Sequence, residues 1–537
     1  MVKVAVVGGG ISGMSAAYLL TQGGHEVTVF EKGDYLGGHT NTVDATFGDV
    51  TVKADTGFLV FNDEKYPNLV RLFKEMGIKS ADSDVSFSLS LNARPFPYPQ
   101  LSPDTDANGP QTKTSSSSSS SSNKLVRRPE IEWCSDTVST VFSQWKNYFS
   151  PSFWMMIIDM GRFHKEAPMI LHTPHLYADM TIEQFTRKHR YSQAFKNYYL
   201  VPVMSALWST SFAEIDQFPI LTLVRFFNNH SMFQMFGRPQ WKTVLGGSYL
   251  YMAKLREYLE ANNSRVLLSS PATQIIRHPE TDSVDIVYTT AEGTTPATET
   301  FDYVVMACHP PDLLPLVQDL TENERDVMSK FVYTPHTVYL HSDERLMPKR
   351  KNTWSSWNYI YDDHSSTDKQ VCVTYWINRI QPWLDREKTP LYVTLNPVFP
   401  PASNLVHKVI QYDHPLYNGT SEAARERLST IQGTRRTYYC GAYYGYGFHE
   451  DGIISGLLAA QAIDPSLKNI WTVDTSRYAD NPPPINKSIS FALKTFRVLL
   501  PIVSIVGMAY LAYNQKSINS IITPIFKKIG ILNKNLN

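Results

Sequence analysis

Apolar residues recur along this chain in two rhythms. At the N-terminal end they form short unbroken runs. Lys3–Val7 (KVAVV) and Glu26–Phe30 (EVTVF) are rich in β-branched residues, the composition of parallel strands buried on both faces. Residues 12–22 between them have helical composition. Far downstream, 303–307 (YVVMA) repeats the buried-strand pattern, and 452–463 predicts a helix introduced by Glu450 and Asp451. The middle of the chain reads differently. Residues 86–92 (SFSLSLN) alternate and 130–133 (EIEW) is a second short strand, so the two predict a hairpin. Residues 181–260 are mainly helical and carry Trp, Tyr, Phe and Met throughout; 264–276 and 283–290 read as strands, and 331–400 alternates short strands with turns.

Two stretches break these rhythms. Residues 102–128 run from Pro, Asp, Gly and Thr into eight consecutive serines (115–122), then Lys124, Arg127 and Arg128. Such a tract cannot bury enough apolar surface to offset its ordering entropy, so a disordered insertion at the hairpin tip is expected. After a polar, proline-containing linker, 498–513 (VLLPIVSIVGMAYLAY) is uncharged and apolar, with Lys494 and Arg497 before it and Lys516 after it. Sixteen residues is slightly short of the ~20 that span a bilayer. A second apolar stretch, 518–532, carries Lys527 and Lys528, the composition of an interfacial segment. Membrane attachment through 498–513 is the expectation, with the catalytic part facing the cytosol.

The first strand ends in Gly8-Gly9-Gly10-Ile11-Ser12-Gly13, where Gly8, Gly10 and Gly13 fill a G-x-G-x-x-G template. The strand before it, the helix after it and Glu31 at the end of the next strand supply the context of an adenine-dinucleotide site. Gly8 allows the tight turn, Gly10 lets the backbone approach a pyrophosphate, and Gly13 lets the helix pack closely. The pyrophosphate is expected on the helix N-terminus, where free N–H groups and the dipole favour negative charge. Glu31 is expected to accept from the ribose hydroxyls and to repel a 2′-phosphate. A second pair, Gly37-Gly38, follows in Glu31-Lys32-x4-Gly-Gly-His39-Thr40-Asn41. FAD enzymes of the glutathione-reductase type use such a pair to carry the chain past the pyrophosphate toward the flavin, so it points to FAD. Asp55-Thr56-Gly57 adds the acid-x-Gly turn of that class, and Cys440-Gly441 with Gly445 to Gly456 supplies a distant glycine turn and helix. That helix is expected to aim its N-terminus at the flavin ring, where a positive dipole end steadies negative charge.

Composition narrows the class. The 537 residues carry no formal net charge, so no nucleic-acid surface is expected. Aromatics make up 12%, enough for a roomy apolar pocket as well as a core. Cys134, Cys308, Cys372 and Cys440 lie far apart with no C-x-x-C spacing, which argues against a zinc site or a disulfide scaffold and favours a reducing compartment. With the first strand entered almost at once, no secretory or transit peptide is expected.

These motifs resemble the flavin-containing amine oxidase superfamily, and within it a branch of predicted NAD/FAD-binding oxidoreductases associated with cyclopropane fatty-acid synthases. Leu200-Val201-Pro202, Phe226 to His230, Trp241 to Ser248, Tyr375 to Arg379 and Gly441 to Gly456 carry the likeness, which covers roughly residues 1–465. The resemblance implies an α/β fold: a discontinuous Rossmann-like FAD-binding domain with an inserted α+β substrate domain and a C-terminal hydrophobic segment. The FAD-binding domain is expected from 1–85, 241–310 and 431–466, and the substrate domain from 86–240 and 311–430. A linker over 467–490 and a membrane-associating tail over 491–537 complete the chain. Noncovalent FAD is expected on Gly8, Gly10, Ile11, Ser12, Gly13, Glu31, Lys32, Gly37, Gly38, His39, Thr40, Gly441, Gly452 and Ile453.

Alignment with amine oxidases puts Phe448 and His449 near the aromatic-cage position. His449 then serves as proton acceptor or as a structural histidine; His230 and Trp241 are weaker candidates, and Asp451 reads as a helix N-cap. Oxidation of an apolar lipid or fatty-acyl substrate is the leading expectation. The alternatives are oxidation of a small amine or polyamine, from which Ala442 departs where many amine oxidases have an acid, a non-redox flavin-dependent isomerase, and a FAD-bound scaffold without turnover.

Overall fold

A computed structural model of the chain describes residues 1–92, 130–234, 237–290, 293–361 and 371–480. The serine-rich stretch 102–128 and the apolar tail 491–537 lie outside the described residues. Among the described residues no helix is long and apolar enough to cross a membrane.

The buried runs of the sequence assemble into one parallel sheet. Its strand order is Arg265–Leu267, Glu26–Phe30, Lys3–Val7, Tyr303–Met306, Thr437–Tyr439. Lys3–Val7 lies at the centre, with Val6 opposite Val29 on one side and Val305 on the other. Successive side chains point to opposite faces, so each strand feeds two cores. Val4, Val6, Val27, Val29 and Val305 pack under the helices Ile11–Gln22, Tyr249–Ala261 and His449–Ile463. Ala5, Val7, Phe30, Val304 and Met306 pack on the other face with Ile275, Ile286 and Leu313. Each fully buried valine contributes about 1.5–3 kcal/mol of apolar transfer. The sheet thus draws strands from both ends of the chain.

A second, seven-stranded mixed sheet runs Val406–Pro415, Tyr333–His341, Tyr392–Leu395, Cys372–Trp376, Trp357–Tyr361, Phe87–Leu91, Ile131–Cys134. Phe87–Leu91 pairs antiparallel with Ile131–Cys134, Ser88 opposite Cys134 and Leu91 opposite Ile131. The serine-rich stretch therefore falls between two neighbouring strands. Helices Pro151–Glu166, Val201–Trp208 and Ile220–Asn229 cover one face through Phe153, Phe163, Met204, Phe226 and Phe227.

Some expectations change. Trp241–Val244, inside the stretch read as helical, is a strand between Phe61–Asn62 and Ser80–Ser83. The Gly246-Gly247 turn, with φ of +90° and +113°, separates it from the next helix. Gly293–Phe301 is a further strand that pairs with Ser283–Thr290 despite its polar, threonine-rich sequence, which suits the edge of a three-stranded sheet. The first part of the expected linker is packed instead. Leu467 and Trp471 are fully buried, and the chain stays pinned to Asp480, whose carboxylate pairs bidentately with Arg225.

Candidate active site

The glycine turn at the end of Lys3–Val7 meets three separate steric demands. Gly8 has φ +112°, and a Cβ there would lie 2.8 Å from the Ala307 carbonyl oxygen. A Cβ on Gly13 would lie 2.0 Å from the Gly8 oxygen, so only glycine lets the helix sit this close to the turn. A Cβ on Gly10 would meet nothing within 4 Å. Gly10 is also the N-cap of Ile11–Gln22, with no side-chain cap, so the first-turn N–H groups open onto that free space.

The second glycine pair is stitched to the first. Gly37 donates its N–H to Gly9 O at 2.9 Å, and Gly10 and Gly37 form a parallel bridge. Gly37 and Gly38 both take positive φ, +121° and +58°. Glu31 is aimed before any ligand arrives: its carboxylate accepts from Gly9 N–H and Gly33 N–H, both at 2.7 Å. Lys32 turns outward and pairs with Asp312 at 2.9 Å.

The C-terminal helix comes alongside. It begins at His449, one turn earlier than its composition suggested, with Phe448 as N-cap. Asp451 is therefore inside the first turn and is not the N-cap; its carboxylate reaches back to accept from Phe448 N–H at 2.9 Å. A Cβ on Gly452 would lie 2.7 Å from Ile11 Cγ2, and one on Gly456 2.1 Å from Ser12 O, so glycine lets the two helices touch. Both helix N-termini open on the same region. The Ile11 and Ile453 side chains are buried in the core beneath it, and Ser12 is 5% exposed. Gly441, after Thr437–Tyr439, donates its N–H to Ser455 Oγ at 2.9 Å, tying the distant turn to this helix.

Phe448 and His449 diverge. The His449 ring stacks on Phe58 at 3.8 Å, and its Nε2 lies 2.8 Å from Thr40 Oγ1 and 2.9 Å from Tyr251 OH. Thr40 and Tyr251 are themselves 2.5 Å apart, closing a buried triangle. Burial pulls the His449 imidazole down to about 3, so it stays neutral. Its partners are the side-chain hydroxyls of Thr40 and Tyr251. Phe448 faces the other way, stacked on Phe226 at 4.8 Å and 5.6 Å from His230. His230 bonds Phe226 O through Nδ1, stacks on Phe226 at 3.9 Å and lies parallel to Trp241 at 6.4 Å. Phe448, His230 and Trp241, spread over two hundred residues of sequence, thus share one aromatic wall.

Two further groups frame the site. Asp55 is buried and accepts from Ser248 N–H and Oγ, Thr42 Oγ1 and Gln381 Nε2; burial raises its carboxyl to about 6. It thereby anchors the start of Tyr249–Ala261, the helix that carries Tyr251. His39 stacks on Tyr412 at 4.7 Å, with His414 at 5.3 Å and His309 at 6.3 Å; burial lowers it to about 3, and its Nε2 has no partner among the described residues. No group of three or more His, Cys, Asp or Glu among the described residues is placed to hold a metal ion.

Sequence reasoning missed Tyr251, Phe58 and Arg477. Tyr251 sits in a segment whose spacing is that of ordinary core, Phe58 directly follows the Asp55-Thr56-Gly57 turn without any mark of its own, and Arg477 lies where a linker was expected.

Comparison with known proteins bears on this geometry. The family described as flavin containing amine oxidoreductase matches residues 11–464. The 15-cis-phytoene desaturase of Synechococcus elongatus is 38% identical over 77 residues, and the flavin-containing amine oxidase A of Sus scrofa 40% identical over 86. Those stretches cover 14% and 16% of this chain, and 15% and 16% of the two relatives. Among solved structures, a CLA-producing fatty acid isomerase from P. acnes superposes with a TM-score of 0.55 at 14% identity, over 86% of this chain and 98% of that one. Cyclohexylamine oxidase from Brevibacterium oxydans gives 0.50 at 14% identity, over 87% and 99%. These structural likenesses concern the fold.

Proposed function

The chain belongs to the flavin containing amine oxidoreductase family, and we propose that within it the protein is a membrane-associated FAD-dependent oxidoreductase acting on an apolar acyl substrate. The residues present fit the cofactor. The uncapped first turn after Gly10 would hold the pyrophosphate, Glu31 the ribose hydroxyls, and the Gly37-Gly38 and Gly441 turns the arm toward the flavin. When bound, FAD supplies the redox step by taking two electrons from the substrate as a hydride. This chain's own side chains bind, orient and exclude water. His449 is spent on Thr40 and Tyr251 and positions the glycine-pair loop. Phe448 lines the substrate side.

The observation that carries the substrate reading is the wall of Phe226, His230, Trp241 and Phe448. Behind it the carboxylates of Glu450 and Asp451 are already hydrogen-bonded to Asn68 N–H, Leu69 N–H, Phe448 N–H and Tyr478 OH. Those carboxylates are turned toward backbone and Tyr478 donors, and the rings of the wall offer an acyl chain apolar contact. The relatives lean the same way in part, since one is named a fatty acid isomerase and another a phytoene desaturase. The isomerase also keeps a second reading open, in which the product has the substrate's mass.

Membrane association has its own support. Val138 and Trp145 are 77% exposed, and Tyr148, Phe149 and Met155 close to half. Lys146 is the single charge between Asp136 and Asp159. Aromatic rings exposed with a lone lysine have the composition of an interfacial contact, and 498–513 would supply a second.

One experiment with two readouts tests both halves. The flavin-loaded full chain is incubated with phospholipid vesicles that also carry free fatty acid, sedimented, and the recovered esterified and free acyl chains are analysed by mass spectrometry. Co-sedimentation with a gain of double bonds is expected, or a double-bond shift at constant mass for the isomerase reading. Acyl chains unchanged in both mass and double-bond position would overturn the substrate proposal, and protein left in the supernatant the membrane one.

A further inference from the structure

Arg477 lies in the turn Ser476–Tyr478 with its side chain 3% exposed. Its Nε lies 3.3 Å from Asp451 Oδ1, yet no guanidinium nitrogen makes a hydrogen bond among the described residues. Nη1 and Nη2 therefore meet no acceptor among the described residues, in a place where buried donors are normally paired. The neighbouring acids do not supply the missing acceptor. Asp451 accepts from Phe448 N–H and Tyr478 OH, and Glu450 from Asn68 N–H, Asn68 Nδ2–H and Leu69 N–H. Two phenols stand against the guanidinium, with ring centroids 5.6 Å (Tyr66) and 5.8 Å (Tyr446) from Cζ. The Tyr66 ring lies 6.2 Å from His230, which is 5.6 Å from Phe448. The guanidinium, ion-paired with Asp451 through Nε alone, is thus continuous with the aromatic wall.

We propose that the Nη edge of Arg477 is an anion site at the end of the aromatic wall, and that it takes the carboxylate of an aliphatic acid whose chain lies along Phe226, His230 and Phe448. A planar guanidinium edge matches a carboxylate bidentately, and in a dry site such a pair is strong. Charge balance allows it: Asp451 already faces the Nε side, and burial pushes the Glu450 carboxyl up to about 7, so it readily holds a proton when a second anion arrives. His230 faces the site as a neutral ring, burial having lowered it well below its ordinary range. The proposal rests on the apolar-chain reading above and names the head group that accompanies the chain.

The test is isothermal titration of the flavin-loaded full chain with decanoate, decanol and decylamine. Decanoate should bind at least 10-fold more tightly than decanol, with decylamine weaker still. Arg477→Met should weaken decanoate far more than decanol and so abolish the preference, and Arg477→Lys should keep part of it. Equal affinity for decanoate and decanol, or tighter binding of the amine, overturns this inference. Failure of decanoate and decanol alike to bind overturns the acyl reading beneath it as well. Should the buried Arg477→Met fail to fold, the ligand series on the unmodified protein still decides.

Discussion

Gly13 shows how much chemistry one missing methyl can carry. Its Cα hydrogen faces the Gly8 carbonyl, where a Cβ would sit 2.0 Å from oxygen. Backbone lies on the other side of that contact, so nothing flexible can yield. Gly13→Ala should therefore cost about 2–4 kcal/mol of stability and most of the bound flavin, read as the 450 nm absorbance per protein and the thermal midpoint. Gly10→Ala, with open space around it, should keep the fold and lose cofactor only. At this scale the sequence was most legible, because the G-x-G-x-x-G and Gly-Gly spacings encode backbone demands that no other residue meets. Arg477 and Tyr251 were illegible for the opposite reason. Tyr251 takes its role from Thr40 and His449, about two hundred residues away on either side, and Arg477 from Tyr66 as well as Asp451, and neither has a local pattern that sets it apart.

Where helices meet, the acids of the C-terminal helix do more than cap it. Glu450 projects from its first turn onto the N-terminus of Pro67–Glu75, where Asn68 N–H and Leu69 N–H both donate to it. Burial nevertheless raises its carboxyl from 4.5 to about 7. A folded value above the unfolded one means that this group favours the fold most below about pH 4.5 and loses that contribution as pH rises to about 7. The change amounts to about 3 kcal/mol. The stability of the unmodified protein minus that of Glu450→Gln should fall by roughly this amount between pH 4.5 and 7.5 in urea melts, with the buried histidines common to both proteins cancelling. A flat difference would show that Glu450 titrates normally. Composition announced a helix over 452–463 but placed its start too late, since His449, Glu450 and Asp451 look like a polar loop until their buried partners are known. Trp241–Val244 misled in the same way: four residues between turns carry too little periodicity to separate strand from helix.

For the whole molecule, the outer glycine motifs and the 303–307 strand sufficed to show that the parallel sheet is gathered from both ends of the chain. The seven-stranded sheet was only partly legible. One of its pairings, Trp357–Tyr361 running parallel to Phe87–Leu91, joins strands about 270 residues apart and follows from packing and not from any local signal. The helix that begins at His449 joins the two regions, touching the first glycine-turn helix through Gly452 and Gly456 and following Phe448 of the aromatic wall. On the proposed function, a FAD bound at the glycine turns exchanges electrons with an acyl chain along that wall. An anaerobic titration of the flavin-loaded full chain, followed at 450 nm, tests it most directly. Fatty acids or phospholipids should bleach the band while a panel of amines and polyamines leaves it intact. A flavin that dithionite bleaches, but that an amine bleaches and no lipid does, would contradict the account.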